Sequence, residues 1–310
     1  MNGERSLTGS NAPLPDGRVA RSGSDGCGRI AAVIATLSLL AGCSHPARVV
    51  VGSKNFTEQL VLGEILAQQI ERRLHVPVER KLNLGGTLLA HEALVKGDID
   101  LYPEYTGTAL TAVLKQPPGG SPDQVLERVR ARYRSQWKLD WLAPLGFNNT
   151  FAMIVRGETA RRFQLASLSD AARRRSWHLG VGYEFQSRPD GLDGLVRAYG
   201  WKLDGAPAVM DLGLLYAALE SGKVDMVAGN ATDGLISRLD VKILDDDRHY
   251  FPPYQCAVVV REEALGRFSG LQAALEELSG KLTDETMRKL NYEVDGKHRS
   301  PREVATEFLH

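Results

Sequence analysis

This 310-residue chain has few cysteines, no formal net charge and no recognisable metal-ligand motif. It has three cysteines and seven histidines, and neither residue type shows the paired spacing of a zinc site. Lys+Arg and Asp+Glu stand at 38 each, so the formal net charge is zero, which argues against a dedicated nucleic-acid binder. No nucleophile with a base and no pair of catalytic carboxylates stands out. We therefore expect no metal, no cofactor and no enzymatic activity.

An uncharged run over residues 30–43 is too short to span a bilayer as a helix, but it suits the apolar region of a signal peptide. The run ends in Leu40-Ala41-Gly42-Cys43, which resembles the bacterial lipobox, whose cysteine is acylated. We expect residues 1–43 to be a lipoprotein signal peptide cleaved before Cys43, the lipidation site. The lipid would anchor the protein to a membrane, in the periplasm or at the cell surface.

Only Cys256 would then remain as a free thiol, so the mature chain cannot form an internal disulfide. The apolar residues 257–260 directly after it predict a core strand. We expect Cys256 to be a buried structural thiol.

Strand and helix patterns alternate twice along the rest of the chain. Residues 48–52 read Arg-Val-Val-Val-Gly, and the apolar run after Arg48 is typical of a parallel strand buried on both faces. Asn55 and Glu58 mark a helix start, residues 76–84 predict the next strand, and residues 88–96 predict a helix ended by Gly97. A similar order follows from residue 178. These patterns predict an α/β fold whose lobes each hold a mixed, mostly parallel sheet flanked by helices.

Two matching phrases indicate that the lobes share one plan. Residues 93–100 read Ala-Leu-Val-Lys-Gly-Asp-Ile-Asp, and residues 218–225 read Ala-Leu-Glu-Ser-Gly-Lys-Val-Asp. Tyr105 and Asn230 lie at the same distance after the two phrases. If the lobes are duplicates, these two residues face each other across a cleft.

The strand that starts near Ile99 runs into Tyr102-Pro103-Glu104-Tyr105. Because Pro103 cannot donate a hydrogen bond to a ladder, we expect this segment to leave the sheet. In an open α/β sheet, ligands bind where strands end. The sequence therefore predicts a binding site around Tyr105.

Two crossings between the lobes are predicted, at residues 142–151 and 250–254. They divide the mature chain into residues 44–148 as lobe 1, 149–251 as lobe 2, and 252–310 as a return to lobe 1. We expect the return segment to hold a strand and two or three helices. Such hinged lobes close around a ligand when a few linker residues move.

Aromatic and basic side chains gather at the predicted strand ends and crossings. Aromatic faces attract quaternary ammonium groups, and lysine or arginine can hold a carboxylate, so a zwitterion such as a betaine is the indicated ligand. The candidate ligand-binding residues are Lys54, Tyr105, Thr108, Asn149, Phe151, Arg188, Asn230 and Tyr254.

Structural roles compete with these assignments for several residues. A lone lysine such as Lys54 is often solvated, and Tyr216 lies in a helical phrase where core packing or simple exposure would explain it. Glu104 can hydrogen-bond a tight turn, and Asp233 can cap the segment after it.

Four segments resemble the signature segments of the substrate-binding proteins of osmoprotectant ABC importers, which bind glycine betaine, choline, carnitine or proline betaine. They are residues 52–59 (Gly-Ser-Lys-Asn-Phe-Thr-Glu-Gln), 98–108, 146–153 and 231–234. The resemblance implies the two-lobed type II periplasmic-binding-protein fold and a monomer. It also implies a partner permease and its ATPase on separate chains, because the sequence shows no Walker motif.

Carried over to this chain, the resemblance implies that Tyr105, Phe151 and Tyr254 surround the ammonium group, while Lys54, Thr108 and Arg188 hold the carboxylate. Asn230 stands where many members have a fourth aromatic. An aromatic face contributes about 0.5 to 2 kcal/mol, so its absence predicts binding weaker by about 2- to 30-fold.

Three alternatives stay open from the sequence. The chain is a receptor of the same fold for another amine or an amino-acid-like ligand, or a sensor subunit that presents ligand to a membrane receptor. The least favoured is an enzyme on a two-lobed scaffold, for which Glu104 and Asp233 are the acidic residues near the cleft.

Overall fold

The computed structural model describes residues 47–174 and 176–310. Over these residues the chain forms two five-stranded sheets flanked by helices. Both sheets mix parallel and antiparallel pairs. The predicted α/β class with two mixed sheets is confirmed. The predicted signal peptide, Cys43 included, lies outside the described residues.

The strands are β1 (Val49–Gly52), β2 (Val78–Lys81), β3 (Leu101–Tyr105), β4 (Leu139–Trp141), β5 (Phe151–Arg156), β6 (Leu179–Val181), β7 (Ala208–Val209), β8 (Met226–Asn230), β9 (Val241–Ile243) and β10 (Cys256–Arg261). The α-helices are α1 (Thr57–Leu74), α2 (Thr87–Lys96), α3 (Thr106–Thr108), α4 (Pro122–Trp137), α5 (Gly157–Phe163), α6 (Leu168–Ala172), α7 (Tyr183–Ser187), α8 (Leu192–Tyr199), α9 (Leu212–Glu220), α10 (Glu262–Arg267), α11 (Leu271–Glu276), α12 (Asp284–Asp295) and α13 (Pro301–Leu309). A π-helical turn (Ala109–Val113) follows α3, and a 3-10 helix (Gly234–Ser237) follows β8.

The two sheets have the same topology. The first has the order β2-β1-β3-β10-β4 and the second β7-β6-β8-β5-β9. In each sheet the first three strands are parallel, and the fourth runs antiparallel to both of its neighbours. Tyr105 and Asn230 are the last residues of the equivalent strands β3 and β8. The duplication indicated by the matching phrases is therefore present in the sheet order.

The chain passes twice between the sheets, from β4 to β5 and from β9 to β10. The two passing segments are hydrogen-bonded to each other through an isolated bridge between Asn148 and Gln255. The Asn149 backbone N–H donates to the Tyr254 carbonyl at 3.2 Å, and the Tyr254 N–H donates to Asn148 Oδ1 at 2.7 Å. This pairing fixes Asn149 and Tyr254 beside each other between the sheets.

Pro103 corrects one expectation, because the Tyr-Pro-Glu-Tyr segment does not leave the sheet. Pro103 lies within β3, opposite Val258 of β10. The Val258 carbonyl accepts from Leu142, on the β4 side, so Val258 does not need a donor from Pro103. The Pro103 carbonyl faces the other way and accepts from Gln59 Nε2 at 2.9 Å. A proline fits this strand because its missing N–H falls where no ladder bond is required.

Other element bounds differ modestly from the sequence patterns. The strand expected over residues 76–84 is shorter, Val78–Lys81, and α1 begins at Thr57 with Phe56 rather than Asn55 as its N-cap. Gly97 ends α2 in the left-handed region (φ 84°), as predicted. The C-terminal segment holds β10 and four helices, not two or three, because short turns split the predicted helical stretch.

Each sheet is buried on both faces. Along β10, Cys256, Val258 and Val260 pack on one face, against the core that includes α1, while Ala257 and Val259 pack on the other. Cys256 is fully buried, as predicted. Among the described residues no helix is both long enough and apolar enough to cross a membrane.

Candidate functional site

A cavity of about 470 Å³ lies where strands of both sheets end, beside the two passing segments. All eight residues predicted from the sequence line it: Lys54, Tyr105, Thr108, Asn149, Phe151, Arg188, Asn230 and Tyr254. Six of them come from a strand end, the turn after β1 or a passing segment, whereas Thr108 ends α3 and Arg188 follows α7. The structure therefore brings the whole predicted set together.

Lys54 follows β1 and is buried, with 2% of its surface exposed. Its Nζ donates to Glu104 Oε1 at 2.5 Å and to Thr87 Oγ1 at 3.1 Å, and it lies 5.0 Å from the centre of the Tyr105 ring. Glu104 also accepts from the Tyr105 N–H and the Tyr102 hydroxyl. Lys54 is thus not a solvated lysine, and Glu104, expected to bond a turn, also neutralises it.

Glu58, in the first turn of α1, joins several elements at the floor of the cavity. It accepts from the Tyr105 hydroxyl at 2.6 Å, from Asn149 Nδ2 at 2.9 Å and from Asn291 Nδ2 at 3.1 Å. The Thr232 hydroxyl, next to β8 of the second sheet, donates to the same carboxylate. Burial raises the pKa of Glu58, although these donors oppose the shift. The sequence reading treated Glu58 only as a helix-start signal.

Arg188, Asp190 and Tyr254 form a second network. Arg188 binds Asp190 through two nitrogens, at 2.9 and 2.6 Å, and the Tyr254 hydroxyl donates to Asp190 Oδ2 at 2.5 Å. The guanidinium also donates to Thr108 Oγ1 at 3.1 Å and lies 4.9 Å from the centre of the Phe151 ring. Burial works to raise the pKa of Asp190, but Arg188 and Tyr254 outweigh it and lower that pKa. Asp190 was missed from the sequence.

Asn230 lies directly opposite Phe151 in the pair of β8 and β5. Asp233 accepts from the Asn230 backbone N–H and from the Tyr216 hydroxyl, both at 2.8 Å. Burial raises the pKa of Asp233 to about 6. Asp233 makes no side-chain cap to the 3-10 helix after it, unlike the role considered for it. Tyr216 is buried in the core beside the second sheet, which is one of the two roles considered for it, and it also lines the cavity.

Carboxylates outnumber cations around this cavity. The ionisable side chains of its lining are two cations, Lys54 and Arg188, and five carboxyl groups, those of Glu58, Glu184, Asp211, Asp233 and Asp295. Both cations are also paired with fully buried carboxylates behind the lining, Glu104 and Asp190. The chemistry offered to a ligand is therefore a set of aromatic faces in a region of negative charge, which favours a cation.

Glu184 was missed for an identifiable reason. The phrase Val51-Gly52 before Lys54 is repeated as Val181-Gly182 before Glu184, so the two residues are equivalent by the duplication. The charge is opposite, so Glu184 does not stand out among the aromatic and basic residues that mark the other strand ends. Aligning the two halves residue by residue would have found it.

Residues 47–310 match the family described as the substrate binding domain of ABC-type glycine betaine transport systems. The chain is 38% identical over 263 residues to the ergothioneine transport permease/ergothioneine binding protein EgtU of Helicobacter pylori (strain G27); the match covers 84% of this chain and 47% of that protein. The chain thus spans about half the length of this relative.

Two further matches run nearly end to end. The carnitine transport binding protein OpuCC of Listeria monocytogenes serotype 1/2a (strain 10403S) is 33% identical over 280 residues, covering 87% of this chain and 91% of that one. A crystal structure of a glycine betaine/carnitine/choline ABC transporter superposes with a TM-score of 0.72 at 33% identity, over 84% of this chain and 97% of that one.

Proposed function

This chain belongs to the family of substrate-binding domains of ABC-type glycine betaine transport systems, and from that membership we propose that it captures a quaternary-ammonium ligand for an importer. The ligand class comprises glycine betaine, choline, carnitine, proline betaine and ergothioneine. The observation that carries the proposal is the cavity itself, where Tyr105, Phe151 and Tyr254, three of its six aromatic lining residues, meet a surplus of carboxylates. A permanent cation that cannot donate strong hydrogen bonds is best held by such a combination.

The eight lining residues predicted from the sequence are the proposed ligand contacts. Tyr105, Phe151 and Tyr254 would surround the ammonium group, with Asn230 leaving one side open. Asn149 would hold the hinge side of the cavity, since its side chain bonds Glu58. Lys54, Thr108 and Arg188 would face the anionic end of a zwitterion. The lobes would consist of residues 44–148 with 252–310, and 149–251.

The rest of the proposal concerns the partners and the place in the cell. Closed around its ligand, the protein would dock on a membrane permease driven by an ATPase, as a receptor without catalytic activity. Lipid on Cys43 would hold it at a membrane, in the periplasm or at the cell surface. This last part rests on the sequence alone.

Isothermal titration calorimetry of the purified protein with the five ligands tests the proposal. We expect micromolar or tighter binding of at least one ligand. A Tyr105→Ala variant removes an aromatic face and should bind about 2- to 30-fold more weakly. Tyr105→Phe keeps the face and loses only the hydroxyl, which donates to Glu58 and accepts from Gln59 Nε2. It is the matched control and should retain most of the affinity.

The same titrations examine the open side of the cavity. An Asn230→Tyr variant places a ring opposite Phe151, and tighter binding by about 2- to 30-fold is the expected result. No gain would refute the idea of the open wall. Absence of binding of all five ligands at millimolar concentration would leave the fold in place and reject the ligand class.

A further inference from the structure

Glu184 occupies a position of its own in the cavity, between the two basic side chains. It is part of the short helix α7, after β6 of the second sheet, yet its carboxylate contacts the first residue of α2, which belongs to the first sheet's side. The Thr87 backbone N–H donates to Glu184 Oε1 at 2.5 Å, and the Thr87 hydroxyl donates to Oε2 at 3.1 Å. The Glu184 carboxylate therefore links α7, on the side of the second sheet, to α2, on the side of the first sheet.

The surroundings of the Glu184 carboxylate are those of an anion site. Lys54 Nζ donates to the same Thr87 hydroxyl at 3.1 Å, and Arg188 Nη1 lies 3.7 Å from Glu184 Oε2. The amino end of α2 adds a partial positive charge. Gly86 keeps the space open, since a Cβ there would lie 2.7 Å from Glu184 Oε1. These are groups that would also serve the carboxylate of a zwitterionic ligand.

The charge state fits the same picture. Burial works to raise the pKa of Glu184, but Lys54, Arg188 and the donors of Thr87 outweigh it and hold the pKa below its ordinary value. Glu184 is thus ionised at neutral pH, as a bound carboxylate would be.

Glu184 is more exposed to solvent than the two carboxylates that pair with Lys54 and Arg188. The side chains of Glu104 and Asp190 are 0% exposed, whereas that of Glu184 is 41% exposed. Glu104 and Asp190 also accept from tyrosine hydroxyls, which fix them further. Of the three, Glu184 alone can swing into solvent without burying or unpairing another charge.

We propose that Glu184 fills the carboxylate subsite of the ligand-free protein, and that a ligand's carboxylate binds there only by displacing it. Glu184 is then a specificity-determining residue, because a ligand without a carboxylate leaves it in place while a zwitterion must compete with it. The inference rests on the proposed function, since it concerns the same cavity and ligand class.

Glycine betaine and choline form the diagnostic pair, because they share a trimethylammonium group and differ in the carboxylate. Calorimetric titrations would compare wild type with Glu184→Gln, which keeps the shape and removes the charge. Charge-assisted hydrogen bonds are about twice as strong as neutral ones, so glutamine competes less well. We expect the affinity for glycine betaine relative to choline to rise about 3- to 10-fold. Glu92→Gln, on the exposed part of α2, is the matched control and should leave this ratio unchanged.

If the affinity for glycine betaine relative to choline is the same or lower in Glu184→Gln than in wild type, the inference is wrong. If wild type binds only one of the two ligands, the readout is glycine betaine binding by Glu184→Gln. Tighter or newly gained binding supports the inference, and unchanged binding refutes it. If wild type binds neither ligand of the pair, the other three ligands decide on the proposed function, and small-angle X-ray scattering of the ligand-free protein decides on Glu184. A larger radius of gyration in Glu184→Ala than in wild type then supports Glu184 as the tie between the lobes, and an equal radius refutes it.

Discussion

At the scale of single residues, ionisation of Asp233 lowers the free energy of unfolding, so its effect on stability depends on pH. Its carboxyl is buried near Glu58, and its pKa is raised from 3.8 to about 6. A raised pKa means that the folded protein prefers the protonated form, so the associated stability is present below pH 3.8 and is lost as the pH rises through about 6. At neutral pH this amounts to at most about 3 kcal/mol of the free energy of unfolding.

An Asp233→Asn variant should therefore be more stable than wild type at pH 7.5, by about 1 to 3 kcal/mol, because the amide keeps an acceptor without a charge. The advantage should shrink as the pH falls to about 4, where wild type is protonated. Urea unfolding of both proteins across this range measures it. Asp193→Asn, on an exposed residue of α8, is the control, and a difference that does not change with pH would contradict the account.

Residue types at strand ends were readable from the sequence, but their partners were not. Lys54, Tyr105 and Arg188 stand out by chemistry and position. Their hydrogen-bond partners are far along the chain: Glu104 lies 50 residues from Lys54, and Glu58 lies 47 residues from Tyr105. Asp190 was close to Arg188 and still missed, because an acid two residues from an arginine is usually a solvated surface pair.

At the scale of elements, α12 and the 3-10 helix at Gly234–Ser237 pack together across the two halves. Asn291 Nδ2 donates to the Thr232 carbonyl at 2.9 Å, and Arg288 Nε donates to the Ala231 carbonyl at 2.8 Å. A Cβ on Gly234 would lie 2.3 Å from the Tyr292 backbone nitrogen. Glycine thus permits a backbone approach that the C-terminal segment needs to reach the second sheet.

Gly234→Ala should keep these elements apart, since overpacking against backbone costs about 1 to 3 kcal/mol and the backbone cannot rotate away. Ligand affinity should fall about tenfold, and the compaction on ligand binding should be smaller than in wild type. Calorimetry and small-angle X-ray scattering with saturating ligand measure the two effects. Gly266→Ala, where a Cβ meets open space, is the control. If Gly234→Ala compacts on ligand binding as much as wild type does, the contact between α12 and the 3-10 helix is not needed for the closed state.

Element boundaries shifted where tertiary partners outweighed local signals. Pro103 remained in β3 because no neighbouring carbonyl needs a hydrogen bond from its nitrogen. This depends on the registers in which β3 and β4 pair with β10. Asn55 did not cap α1; its N–H instead donates to the Gly85 carbonyl at 3.1 Å. Local propensity cannot contain either fact, because both partners are distant in sequence.

At the scale of the whole molecule, the proposed lipid on Cys43 determines where the receptor works. Growth of the native host with labelled palmitate tests it, because the label should appear on wild type and disappear in Cys43→Ala. Cys27→Ala is the matched control and should keep the label, since residue 27 would leave with the signal peptide. Label retained in Cys43→Ala would reject the anchor.

The sequence by itself determined the fold class, the duplicated plan and the residue types at the strand ends, because hydrophobic periodicity and repeated phrases are local signals. Only the tertiary structure decided which charges meet. It paired Lys54 with Glu104 and Arg188 with Asp190, and it set Glu184 against Thr87 across the cavity. Charge pairing depends on distances of a few ångströms between segments far apart in the chain, and a pattern along one dimension does not contain those distances.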